Sequence, residues 1–329
     1  MLLNQKTLEN ITLGHLRTEV DEEGYLAFSR FTEAQKEYYA KRSPENELKI
    51  YATAGMRFDF HTDAEVFSFD YKMKIASSRL YYGMDLYVDG AMVRHYDPEC
   101  KKPECEGSIA FTLPEGFHRV TLYMPNLTCL SVKNAELEGA TVLRAVKPTK
   151  KIFFVGDSIT QGYDAVYPSL SYVNCLSRHF DAEVLNQAIG GEVFDPELVD
   201  TEMDFAPDLI VIAYGTNDWC NAPSREAILE KQAALIDKMK LLARAVHIVY
   251  VSPIWRGPEA IVKTPSGDFH ETCEALAANA SKKRIVSVNG MNLVPHLSDF
   301  FSDKALHPND LGFLIYAENL AKELEKYIR

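Results

Sequence analysis

At 329 residues the chain is longer than one average domain, which points to two. A composition of 47% hydrophobic and 25% charged residues is that of an ordinary globular protein, not of a disordered or fibrous one. The net charge of −12 argues against a nucleic-acid binder, because phosphate contacts need a dense Lys/Arg surface.

The opening segment, MLLNQKTLENITLGHL, has no basic region followed by an apolar run and a small-residue cleavage site, so a cytoplasmic location is expected. No apolar stretch reaches membrane-spanning length, and no membrane partner is expected. Six cysteines are scattered along the chain. Cys100 and Cys105 are close enough to pair or to hold a metal, yet no second pair follows; free thiols are the expectation.

From about residue 51 to 141 the hydrophobic pattern repeats every two residues, the mark of half-buried strands. Phe67, Phe69, Tyr71, Met73 and Ile75 alternate with Ser68, Asp70, Lys72 and Lys74. Phe58/Phe60, Leu86/Val88, Ile109/Phe111/Leu113 and Val120/Leu122/Met124 are shorter cases. Asp89-Gly90 signals a two-residue hairpin, since both residue types tolerate positive φ. Short strands at this spacing, without helical patterns between them, predict an antiparallel β-sandwich, jelly-roll-like, over residues 1–147 with a leading segment.

The period changes after Lys147-Pro148. Continuous apolar runs at 152–155, 209–213, 248–251 and 285–288 fit strands covered on both faces, as in a parallel sheet flanked by helices. Ser224 is the predicted N-cap of a helix with Ile228, Leu235, Met239 and Leu242 on one face. A last helix after Asn309 is expected to turn Leu311, Leu314, Ala317, Leu320, Leu324 and Ile328 inward. This alternation predicts a three-layer α/β/α domain over residues 148–329.

Polar clusters follow the apolar runs, where ligands bind in open α/β sheets. Gly156-Asp157-Ser158-Ile159-Thr160 places a serine at a helix start, where free N–H groups and the dipole favour an anion. Gly190-Gly191 lets backbone approach a ligand closely. Gly215-Thr216-Asn217-Asp218 offers a side-chain amide as a donor, and His307, just before the last helix, is a candidate general base. A serine needs such a base to become a useful nucleophile.

GDSIT, Gly190-Gly191, GTND and HPN, in that order, resemble the motifs of the SGNH (GDSL) hydrolase superfamily over residues 150–329. The resemblance implies a flavodoxin-like catalytic domain, Ser158 as nucleophile and His307 as base. It also implies an oxyanion hole made by the Ser158 and Gly191 backbone N–H groups and the Asn217 side chain. Gly191 is preferred to Gly190 because the family places its glycine a few residues after an Asn such as Asn186. Some carbohydrate esterases that this chain resembles carry an N-terminal β-sandwich. The family's Asp three residues before the His is replaced here by Lys304, and the nearest Asp is Asp303. Either Asp303 orients the imidazole, or a backbone carbonyl does so in a Ser-His dyad.

Tyr163, Trp219 and Trp255 lie near strand ends and are candidate pocket walls, although core packing is the commoner use of such residues. Arg256 is a candidate anion contact or an ordinary salt-bridge partner, Asp157 a turn support, and Asp218 a cap for the segment after it. The other histidines have no such context. No phosphate loop, dinucleotide fingerprint, Gly-x-Ser-x-Gly elbow or zinc motif occurs, so no cofactor or metal is expected. The reading is a serine esterase for short acyl esters, acetyl on a carbohydrate being favoured through the resemblance. A thioesterase or lysophospholipase, and a carbohydrate-binding protein with a decayed site, are the alternatives; oligomeric state is open.

Overall fold

The computed structural model describes residues 1–242 and 245–328. Strands β1 (Thr12–Leu13), β2 (Arg17–Val20), β3 (Leu26–Ser29), β4 (Arg57–Thr62), β5 (Val66–Ile75), β6 (Met84–Val88), β7 (Ala91–Tyr96), β8 (Glu104–Thr112), β9 (His118–Tyr123), β10 (Thr128–Glu138) and β11 (Leu143–Ala145) form two antiparallel sheets. One runs β1-β4-β9-β6-β7 with β11 beside β4; the other runs β2-β3-β10-β5-β8. Phe58, Phe60, Leu86, Val120 and Leu122 of the first sheet share a core with Phe67, Phe69, Phe111, Leu130 and Leu137 of the second. This is the sandwich expected from the alternation. Asp89 and Gly90, at φ 49° and 83°, make the predicted hairpin between β6 and β7.

β6 departs from half-burial: all five of its residues are buried. Its second face is covered by the C-terminal half, where Asp85 Oδ2 accepts from the Ser169 N–H at 2.8 Å and Tyr87 donates to Ser169 Oγ at 3.1 Å. The leading segment is also more structured than its pattern suggests. It holds α1 (Gln5–Ile11), α2 (Glu33–Arg42) and α3 (Pro44–Ile50). Thr32 and Gln35 form a capping box at the start of α2, and Ser43 caps α3 with Pro44 in its first turn.

Past Ala145 the chain enters a parallel sheet of β12 (Lys150–Gly156), β13 (Ala182–Asn186), β14 (Leu209–Ala213), β15 (His247–Val251) and β16 (Val286–Val288). The order β13-β12-β14-β15-β16 is the flavodoxin-like 2-1-3-4-5 arrangement. Helices α4 (Ser158–Gln161), α5 (Tyr172–Phe180), α6 (Thr216–Asn221), α7 (Arg225–Leu242), α8 (Phe269–Lys282) and α9 (Asp310–Leu324) connect and flank these strands. Buried clusters lie on both sheet faces, one packed by α5 and α9, the other by α7 and α8. No helix among the described residues is long and apolar enough to cross a membrane.

Ser224 caps α7 as expected, accepting from the Ala227 N–H at 3.2 Å. The last helix turns Ala317, Leu320 and Leu324 inward as expected, with Ile328 buried just beyond it, but its first turns differ from the expectation. Phe313, Tyr316, Ala317, Leu320 and Leu324 are buried, whereas Leu311 and Leu314 are exposed. The aromatic stack of Tyr172 on Tyr316 at 4.3 Å and on Phe313 at 6.4 Å sets the helix rotation.

Candidate active site

The loop after β12 turns directly into α4, so Ser158 is the first helical residue. Asp157, not Ser158, is the N-cap: its carboxylate accepts from the Ile159 N–H at 3.0 Å. This frees the serine hydroxyl for other work. Burial pushes the Asp157 carboxyl up to about 6. As the first residue of α4, Ser158 has no intrahelical acceptor for its own N–H.

Ser158 Oγ lies 2.9 Å from His307 Nε2, and His307 Nδ1 lies 2.8 Å from Asp303 Oδ2. The structure thus joins three residues in one chain of hydrogen bonds, with a carboxylate and not a backbone carbonyl against the imidazole. The loop that carries them is closed at its base by the Phe301–Pro308 bridge, and Ser302 N–H donates to the His307 carbonyl at 2.8 Å. Asp303 Oδ1 accepts from the backbone N–H groups of Ala305, Leu306 and His307 at 3.0, 2.7 and 3.1 Å. Lys304 turns outward at φ 67°, which absorbs the one-residue shift between Asp and His. Partial burial pushes the Asp303 carboxyl up. The bond to His307 and the three N–H donors outweigh that and hold it well below the usual carboxylate range.

A second carboxylate stands nearby. Asp164 Oδ2 is 3.9 Å from His307 Nδ1, while Asp164 Oδ1 accepts from Arg79 Nε at 2.9 Å. Arg79 comes from the loop between β5 and β6, so the sandwich reaches the site. Tyr163 is buried with its ring stacked against the His307 ring at 5.6 Å, and therefore braces the imidazole.

The glycine pair sits on the loop after β13. Gly190 N–H donates to Gln161 Oε1 at 2.7 Å, and a Cβ on Gly190 would stand 2.7 Å from the Tyr163 ring. Gly191 adopts φ 85°, where only glycine is unstrained, and its N–H has no acceptor among the described residues. Asn217, in the first turn of α6, donates one amide hydrogen to the Glu192 carbonyl at 2.9 Å, which leaves its second hydrogen available. Asp218 does not cap the segment after it; Oδ1 accepts from the Phe194 N–H at 2.9 Å and ties α6 to the same loop.

This loop is gripped from the N-terminal segment, a feature the sequence reading missed. The Arg30 guanidinium, fully buried, donates to the carbonyls of Asn186, Ala188 at 2.9 Å and Lys49 at 3.2 Å. Burial without a carboxylate partner pulls Arg30 down to about 9. Arg42 pairs bidentately with buried Glu192 at 2.9 and 2.7 Å, and Lys49 Nζ donates to the Gly190 carbonyl at 2.8 Å.

Of the other two expected pocket walls, Trp219 is placed differently. Trp219 is 1% exposed, with its indole N–H on the Gly267 carbonyl at 2.9 Å and its ring against Phe269. It is core, clustered with Phe269 and Cys273 of α8. Trp255 is half-buried, stacked on His296 at 5.9 Å and tilted against Phe301 at 5.0 Å, at the base of the His307 loop. Arg256 makes no salt bridge among the described residues. It donates to Thr216 Oγ1 at 2.9 Å and lies over the Trp219 ring at 5.1 Å.

Residues 154–314 match the model of the GDSL-like lipase/acylhydrolase family. The chain carries a domain of that family. The match supports an ester hydrolase. No curated protein sequence matches the chain. Among solved structures, the salicylyl-acyltransferase SsfX3 from a tetracycline biosynthetic pathway is similar at a TM-score of 0.78 and 19% identity, over 96% of this chain and 94% of that one. A family two carbohydrate esterase from Clostridium thermocellum, in complex with cellohexaose, gives 0.64 and 16% over 96% and 98%. The acetyl xylan esterase Est2A from the rumen bacterium Butyrivibrio proteoclasticus gives 0.63 and 14% over 99% and 98%. At these identities the likeness is one of fold, and it extends over sandwich and α/β sheet together.

Proposed function

We propose that this protein is a serine esterase that removes short acyl groups, acetyl in the first place, from carbohydrate esters. The observation that carries the reading is the unbroken chain Ser158 Oγ, His307, Asp303 at 2.9 and 2.8 Å. In the first step Ser158 Oγ bonds to the ester carbonyl carbon while its proton passes to His307 Nε2. The carbonyl oxygen becomes an oxyanion beside the Ser158 and Gly191 N–H groups and the free hydrogen of Asn217. Collapse breaks the bond to the alcohol, which leaves with the proton from His307. Water then attacks the acyl-serine, His307 takes and returns a proton again, and the carboxylic acid departs.

The preference for a short acyl group on a sugar draws support from the carbohydrate esterase and acetyl xylan esterase whose two-part architecture this chain shares. Hydrolysis of p-nitrophenyl acetate tests the chemistry. Ser158→Ala is expected to lose roughly ten-thousandfold or more in kcat, and full activity in that variant overturns the reading. Rates on acetyl, butyryl and octanoyl esters test the acyl preference. Acetyl should lead, and a lead for octanoyl refutes the short-chain part.

A further inference from the structure

The Gly191 N–H and the Gly190 C=O belong to the same peptide unit. Lys49 Nζ donates to that carbonyl at 2.8 Å. The lysine side chain is 8% exposed, so solvent screens this contact little. Its other partners are Glu45 Oε1 at 2.8 Å and Asn46 Oδ1 at 3.4 Å; Glu45 is 79% exposed and its charge is largely spent in water. A cation on a carbonyl oxygen draws electron density from the peptide nitrogen, through the same resonance that keeps the bond planar. The N–H on the opposite side of that peptide becomes a stronger donor.

We infer that Lys49 is a positioning residue of the oxyanion hole: from α3 it fixes and polarises the Gly190–Gly191 peptide, so that the Gly191 N–H holds the oxyanion more tightly. The inference rests on the reading above, in which that N–H faces the oxyanion. Features of the peptide and of the lysine agree with it. Its carbonyl is occupied by a charged donor and the neighbouring Gly190 N–H by Gln161. The Gly191 N–H alone is left without an acceptor among the described residues. The lysine is itself anchored, because its own carbonyl accepts from buried Arg30 at 3.2 Å. An oxyanion exists only after attack on the carbonyl, so its stabilisation lowers the barrier without tightening substrate binding.

Steady-state kinetics on p-nitrophenyl acetate with Lys49→Met, Lys49→Gln, Lys49→Arg and Ser158→Ala test this. Lys49→Met should lose roughly tenfold in kcat with KM changed less than about twofold. Lys49→Gln, a neutral donor, should fall between Lys49→Met and the parent, and Lys49→Arg should recover most of kcat. A loop that was merely loosened would raise KM instead and would not distinguish glutamine from arginine. Should Lys49→Met fail to fold, the glutamine and arginine variants decide alone: equal kcat in both overturns the role of the charge. Parental kcat in every Lys49 variant, with Ser158→Ala inactive, overturns the inference and leaves the serine mechanism standing. An active Ser158→Ala removes the reading on which it rests.

Discussion

The two sides of the candidate site, the proposed base and the proposed anion cradle, are built in opposite ways. The imidazole is held chiefly by its own loop, where Asp303, four residues ahead of His307, accepts from the ring and from three successive backbone N–H groups, with the Tyr163 ring stacked beside it. The glycine loop is held from far away along the chain. Lys49 lies 141 residues from Gly190, Arg42 150 residues from Glu192, and Arg30 158 residues from Ala188. The leading segment is therefore part of the machinery that shapes the α/β site, not a tether in front of a sandwich. A local device tolerates change elsewhere in the fold. A device assembled across two halves ties the chemistry to their docking.

The largest effect that separates the two sides should come from the base side. Asp303→Asn keeps the loop's shape but removes the charge opposite the imidazole, and kcat is expected to fall roughly a hundredfold or more. If kcat is unchanged, the neighbouring carboxylate of Asp164, 3.9 Å from Nδ1, is doing the orienting. On the cradle side Asn217→Ala should cost on the order of a hundredfold in kcat, with KM little altered, because in the proposed mechanism the amide hydrogen not taken by Glu192 serves the oxyanion. A rise in KM at constant kcat contradicts that role.

A smaller effect is read in stability. Asp218, which ties α6 to the glycine loop, is pushed up to about 7 by burial, and its Oδ2 has no partner among the described residues. Between the ordinary carboxylate value near 4 and about 7, the folded state keeps a proton that the unfolded chain has lost, so stability falls as pH rises through that window. Asp218→Asn keeps the acceptor for Phe194 and removes the charge. Its thermal midpoint should exceed the parent's by roughly a few degrees at pH 8 and match it near pH 4. Parallel pH curves for the two proteins would show that Asp218 stays solvated.

The same contrast explains what was legible in the sequence. Ser158 directly follows an apolar run and His307 stands just before the last helix with Asp303 four residues ahead, so the motifs and their resemblance to the SGNH family point to the base side, with a backbone carbonyl left as the alternative to Asp303. The one-residue shift at Lys304 needed only a residue at positive φ. The clamp left no comparable trace: Arg30, Arg42 and Lys49 lie in a polar segment without apolar periodicity, and charged residues there read as surface. The Thr32–Gln35 capping box and Ser43-Pro44 were signals for the helices that carry two of them. In the first turns of α9 the aliphatic Leu311 and Leu314 give way to Phe313 and Tyr316, whose rings stack on Tyr172, a contact that pattern alone does not reveal. Trp219 near a strand end read as a pocket wall; its partner Phe269 lies fifty residues on and could not be paired with it from pattern.

The most direct test of the central claim is covalent labelling with a fluorophosphonate, followed by mass mapping of the modified peptide. A single adduct on Ser158 is predicted in the parent protein, formed far more slowly when His307 is changed to Ala and absent in Ser158→Ala. An adduct on a different residue, or ester hydrolysis that persists while Ser158 stays unmodified, would contradict it.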